Sequence, residues 1–216
     1  KAGIRRRDFV KTGETLGAGA ILAPYISRDA FAASRDRITI YHSSVADSLH
    51  PYRHSSSPIY GNWQHIMEPL VEYDYKRKDY VGILAESWEY QGKRWVFRLK
   101  KGIKFHNGAT LTSKDVAFSI DRMRDEKGGS LQAPNFKDVT EVQAPEDQTV
   151  IFVTKQPLAV FLDRLENRFI LSKAAADKYG DQMDKNPIGT GPYKYVSYQR
   201  GGNFVFARND DYWGGK

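Results

Sequence analysis

A mixed α/β fold with extensive antiparallel pairing is predicted by three features of the sequence. Apolar residues recur at helical spacing in some stretches and alternate in others. Glycine- or asparagine-containing turns join neighbouring alternating runs into hairpins. Helices and strands follow one another without a strict strand–helix–strand rhythm, which argues against a purely parallel sheet.

The elements follow in chain order. Ile38-Thr39-Ile40-Tyr41 reads as a short buried strand, and the stretch from His42 to Ser57, rich in Ser, His and Pro, as a loop. Ser57-Pro58 opens a helix, with Ser as N-cap and Pro at the first helical position. Its core face is Ile59, Trp63, Ile66, Met67 and Leu70. Trp88 to Tyr90 and Trp95 to Leu99 form a hairpin around Gln91-Gly92-Lys93, with Trp95, Phe97 and Leu99 on one face. Gly102 and Asn107-Gly108 are turn positions. Thr112-Ser113-Lys114-Asp115 has the pattern of a capping box, and its helix carries Val116, Ile120 and Met123 on one side. Gly128-Gly129 closes that unit, and Leu131 to Phe136 reads as loop. Thr149 to Val153 is a strand after a Pro145-Glu146-Asp147 turn. A helix follows with Leu158, Phe161, Leu162 and Leu165 inward. Another runs from Lys173 to Tyr179 and stops at Gly180. Gly189-Thr190-Gly191-Pro192 is a backbone device for a sharp bend. Tyr193 to Tyr198 and Phe204 to Arg208 form a last hairpin joined by Gly201-Gly202.

Composition narrows the function. The 216 residues are 40% hydrophobic and 27% charged, a profile neither membrane-like nor disordered. Net charge is +7, with +3 in residues 1–32 and +4 in the rest. Basic and acidic residues are interspersed, so no nucleic-acid partner is expected. The lack of cysteine excludes disulfides, thiol catalysis and Cys-ligated metal. None of the G-x-S-x-G, G-x-x-x-x-G-K-[ST], H-E-x-x-H or G-x-G-x-x-G motifs occurs in a fitting context, so neither catalytic residues nor a cofactor are expected. An exported hydrolase is the distant alternative. His50 and His54 are four apart, but Pro51 disfavours a helix there, and the pair reads as surface histidines.

Residues 1–32 read as an address. Arg5-Arg6-Arg7-Asp8-Phe9-Val10-Lys11 precedes a short apolar run, Leu16 to Ala23, and then Ala30-Phe31-Ala32-Ala33. The run is too short to span a bilayer. The pattern resembles the twin-arginine export signal, although Arg5 stands where Ser or Thr is usual. That resemblance implies export to a bacterial periplasm and a mature chain starting near Ala33 or Ser34.

Four blocks carry a second resemblance. The first is Leu49-His50-Pro51, in place of Leu-Asp-Pro, with Met67-Glu68-Pro69-Leu70-Val71. The second is Leu84-Ala85-Glu86-Ser87-Trp88-Glu89. The third runs from Trp95 through Lys104-Phe105-His106-Asn107-Gly108 to Ser119. The fourth is Asn186 to Lys194, closed by Arg208-Asn209-Asp210-Asp211-Tyr212-Trp213. In this order they resemble extracellular solute-binding family 5, the peptide-, dipeptide- and nickel-binding components of ABC transporters.

The resemblance implies a periplasmic-binding-protein-like fold (class II, cluster C) whose two lobes close on a ligand. It further implies a first-lobe core from 33–73 and 186–216, with a small α/β subdomain inserted at 74–185. The second lobe is expected to be absent from this sequence. Implied partners are a peptide or similar small solute and the ABC permease subunits, with the binding protein a monomer. In related binders the segment after the Leu-Asp-Pro triplet lines the cleft, which maps to Arg53, His54, Ser55, Ser56 and Ser57. Gly128 to Asn135 is a further candidate. Nickel or metallophore binding on the same fold is the alternative.

Overall fold

The computed structural model describes residues 50–53, 57–199 and 204–215, all in the unit His42–Lys216. The predicted export signal, the strand at 38–41, His54 to Ser56 and the Gly201-Gly202 turn lie outside the described residues.

Among the described residues, five α-helices and eight strands follow in mixed order. They are α1 (Ser57–Ile66), β1 (Val71–Asp74), β2 (Asp79–Gly82), β3 (Ala85–Gln91), β4 (Arg94–Leu99), α2 (Ser113–Arg124) and α3 (Ala133–Phe136). Then come β5 (Val139–Glu146), β6 (Thr149–Thr154), α4 (Phe161–Leu165), α5 (Lys173–Tyr179), β7 (Tyr193–Tyr198) and β8 (Phe204–Arg208). A 3-10 helix, Gly180–Lys185, extends α5. The strands form a four-stranded sheet in the order β3-β4-β6-β5 and two hairpins, β1-β2 and β7-β8. Every pairing among the described residues is antiparallel, as the hairpin signals predict.

The central sheet buries the face that the alternation marks. Trp95, Phe97 and Leu99 of β4 are buried, opposite Phe152 and Val150 of β6. The Phe97 and Phe152 rings meet edge to face with centroids 5.4 Å apart, and Phe161 of α4 lies 5.0 Å from Phe152. The buried Trp95 indole donates to the Leu158 carbonyl at 3.0 Å, so burial strands no polar atom. Helix α2 covers β5 and β6 with Val116, Ile120 and Met123. Gly92, in the β3-β4 turn, has φ 68°, a backbone region that a residue with a Cβ rarely adopts.

The capping box folds as read and also reaches further. The Asp115 carboxylate accepts the Thr112 N–H at 2.9 Å and the Lys173 N–H at 2.8 Å. One buried side chain thereby ties the N-termini of α2 and α5 together. Ser119 strengthens the join by accepting the Leu171 N–H at 2.8 Å.

Four expectations are corrected. Residues 131–136 are not all loop: Pro134, compatible with a first helical turn, sits in α3, which buries Phe136. Pro145 and Glu146 belong to β5 rather than to a turn, which is confined to Asp147-Gln148. A register shift between Gln143 and Glu146 accommodates the proline on an edge strand. The helix expected to include Leu158 is shorter, since α4 starts at Phe161; Leu158 packs into the core from the preceding segment. Met67 and Leu70 are buried, but beyond the end of α1.

Candidate functional site

Of the predicted ligand-contacting residues, Arg53 is exposed and His54, Ser55 and Ser56 fall outside the described residues. Ser57 begins α1. Arg53 does not point into open solvent alone. Its Nη2 donates to the Gly128 carbonyl at 3.1 Å, and the Tyr52 carbonyl accepts the Leu131 N–H at 2.9 Å. The two segments proposed from sequence, 53–57 and 128–135, therefore meet on one surface at Arg53 and Gly128.

Both sides of that surface are fixed from beneath. Tyr52 is buried, and its hydroxyl donates to the Phe169 carbonyl at 2.6 Å. Burial pushes its phenol far above the ordinary range, so it stays a neutral donor. Asp125 accepts the Gly128 N–H at 2.9 Å, and the buried Ser130 hydroxyl donates to the Met123 carbonyl at 2.8 Å. Gly129 has φ 79°. Leu131 remains 53% exposed on this pinned loop. The surface thus offers a guanidinium, a bend rich in backbone groups and an apolar side chain. That set suits a ligand with polar main-chain groups and variable side chains.

His50 corrects the reading of surface histidines, since it is only 4% exposed. Its Nδ1 accepts the Tyr52 N–H at 3.2 Å, two residues on. An aspartate at this position would make the same local bond, so the imidazole takes over the turn-forming role of the acid. Residues 51–53 form a turn, so no helical pair of histidines starts there. Among the described residues, no three His, Asp or Glu side chains gather as a metal site would require.

A second convergence lies at Glu68, which the sequence reading noted only as part of a block. Glu68 is 6% exposed. Its carboxylate accepts from Thr190 Oγ1 at 2.7 Å, Tyr212 Oη at 2.6 Å and Trp213 Nε1 at 2.8 Å. Lys100 Nζ stands 4.9 Å from the centre of the Trp213 ring. Burial raises the Glu68 pKa, opposed by the three donors and Lys100. Burial likewise pushes the Tyr212 phenol up, with Glu68 adding to the effect.

Beside it, the bend at 189–191 is clamped from two sides. A Cβ on Gly189 would fall 2.1 Å from the Ile66 carbonyl oxygen, and one on Gly191 would fall 2.7 Å from that of His65. Only glycine permits this approach to the end of α1, where the Ile66 carbonyl accepts the Gly191 N–H at 2.8 Å. His106 Nε2 lies 2.9 Å from the Gly191 carbonyl, and Nδ1 lies 3.4 Å from the Gly189 nitrogen. The neutral Nε2–H tautomer satisfies both contacts. Burial lowers the His106 pKa and favours that neutral form. The first, third and fourth sequence blocks thus meet at one structural junction. The one sequence feature that could have marked it is a lone acid between Met67 and Pro69 in an apolar block, and that feature has no period of its own.

Residues 79–216 match the bacterial extracellular solute-binding proteins, family 5, middle region. The chain is 31% identical to the dipeptide-binding protein of Escherichia coli K12 over 99% of its own length and 43% of that protein's. It is similar to a periplasmic binding protein, DppA, of Helicobacter pylori in complex with the peptide STSA, with TM-score 0.70 and 28% identity. That match covers 79% of this chain and 38% of the other. The binding protein AgaA of A. tumefaciens R10 in complex with agropinic acid gives TM-score 0.72 and 27% identity, over 77% of this chain and 34% of the other. The chain spans less than half the length of these relatives. On the residues matched and the identity along nearly its whole length, the chain belongs to the bacterial extracellular solute-binding proteins, family 5.

Proposed function

We propose that this chain is part of the periplasmic solute-binding component of an ABC importer, which captures peptides or similar small solutes for the permease. The observation that carries this reading is the identity to a dipeptide-binding protein along 99% of the chain. In this reading residues 33–73 and 186–216 form the core of the first lobe, with 74–185 inserted. The bonds from Glu68 to Thr190, Tyr212 and Trp213 support that grouping, and the β1-β2 hairpin stands at the junction. Residues 1–32 direct export. The protein acts as a monomer without covalent chemistry, and ligand binding favours a closed form by its higher affinity for that form.

The ligand-facing surface comprises Arg53 to Ser57 and the adjoining bend at Gly128 to Leu131. Arg53 serves the ligand carboxylate or main-chain carbonyl groups. The test is a thermal-shift and calorimetric titration of the full-length protein with a dipeptide panel and with nickel–histidine complexes. A binding dipeptide at a hundredfold excess over Kd stabilises the folded state by about 2.7 kcal/mol. Arg53→Ala weakens that binding. Stabilisation by the nickel complexes and by no peptide would reassign the ligand to the metallophore branch.

A further inference from the structure

The β1-β2 hairpin carries a feature that solute capture does not use. Its strands pair from Val71↔Gly82 to Asp74↔Asp79, and Tyr75-Lys76-Arg77-Lys78 forms the tip. Asp74 holds the turn by accepting the Lys76 N–H at 2.8 Å and the Arg77 N–H at 3.1 Å. Its backbone carbonyl accepts the Lys78 N–H at 2.7 Å. Tyr73 braces the tip on both sides, with its ring edge-on to Tyr75 at 5.2 Å and to Tyr80 at 5.3 Å. Tyr80 is itself held by a hydrogen bond to Asp163.

On this braced stem Tyr75 is 79% exposed, and the three cations that follow are all exposed. Arg77 pairs with Asp74 at 3.5 Å, and its side chain is still 75% exposed. No ion pair among the described residues engages Lys76 or Lys78. The hairpin's three carboxylates lie behind the tip, Glu72 within β1 and Asp74 and Asp79 at the strand ends, where these last two also accept backbone N–H groups. The tip therefore leads with positive charge around an amphipathic ring.

We infer that the β1-β2 tip contacts an anionic lipid surface. Lysine and arginine beside anionic headgroups and tyrosine at headgroup level is the arrangement such a surface favours. Shape decides against a protein partner at this point. A stable protein interface covers about 800 Å² on each side, more than a four-residue convex tip presents. A lipid surface needs no complementary relief. The contact is independent of the solute and would keep the protein near the bilayer between transport cycles.

The test is vesicle sedimentation of the full-length protein with phosphatidylglycerol/phosphatidylcholine vesicles and with phosphatidylcholine alone, at low ionic strength. The triple variant K76S/R77S/K78S lowers partitioning onto the anionic vesicles by roughly a hundredfold, since each of the three cations near the surface contributes about a factor of five. Y75S lowers it further in the same background. A control, K101S/K137S/K155S, removes equal charge from exposed sites elsewhere and leaves partitioning close to wild type. All variants share one N-terminus, so the difference between them reports the tip. Circular dichroism and peptide binding, unchanged in the tip variant, separate this result from the proposed capture function. Equal losses in the control and tip variants, or no preference of wild type for anionic vesicles, would overturn the inference. So would loss of permease coupling without any vesicle binding.

Discussion

Replacing Glu68 by alanine takes the common acceptor from three donors that come from two distant segments. Each hydrogen bond to a charged group contributes about 1.5–3 kcal/mol. Their plain sum overstates the loss, because Tyr212 and Trp213 are only half-buried and can turn to water, whereas Thr190 is fully enclosed. The expected cost is about 2–4 kcal/mol, because the enclosed Thr190 hydroxyl loses its acceptor outright while the other two donors recover part of their loss from water. That is a large share of the roughly 5–15 kcal/mol that holds a domain together. In urea denaturation the midpoint falls by roughly 1–3 M with the slope unchanged. Glu68→Gln, which keeps one acceptor oxygen and the side-chain volume, falls between. The pH dependence is a second readout. Burial raises the Glu68 pKa above its ordinary 4.5, so the folded state holds the proton more readily than the unfolded chain. The resulting contribution is complete below pH 4.5 and is lost as pH rises through the raised folded value. Glu68→Gln removes that part of the slope. A Glu68→Ala midpoint equal to wild type would refute the assignment of Glu68 as the tie between these segments.

Two further outcomes follow from the neighbouring bend. Gly189→Ala forces a Cβ against the Ile66 carbonyl oxygen, which belongs to backbone and cannot swing aside, and costs about 1–3 kcal/mol in denaturant unfolding. His106 has the opposite pH sign to Glu68: its folded pKa lies below the ordinary 6.5, so its stabilisation is present above pH 6.5 and is lost as pH falls through the depressed folded value. His106→Gln flattens that acid-side loss in a pH series of urea midpoints.

The elements legible in the sequence are those with a strong local signal. Helix α5 and the strands β7 and β8 have the predicted bounds, and α2 starts where the capping box places it. Strand β5 was missed because Val139–Glu146 has several exposed or half-exposed positions, two register shifts and a proline near its end. Strands β1 and β2 are four residues each and mostly half-exposed, so alternation has too little length to register. The candidate surface was legible as two separate segments. Their meeting at Arg53 and Gly128 spans 75 positions of sequence, which no local pattern encodes. The role of Glu68 was hidden for the same reason, and because a lone acid in an apolar block has no period of its own.

The Glu68 junction also sets a clock on biosynthesis. Its bonds bridge 122, 144 and 145 positions, so the acid emerges from the ribosome long before any of its donors. At about 5–20 residues per second, the newly made segment waits roughly 7–30 s before Trp213 is even synthesised. For that interval the nascent protein lacks a closed interior, and chaperones have their longest opportunity to hold it.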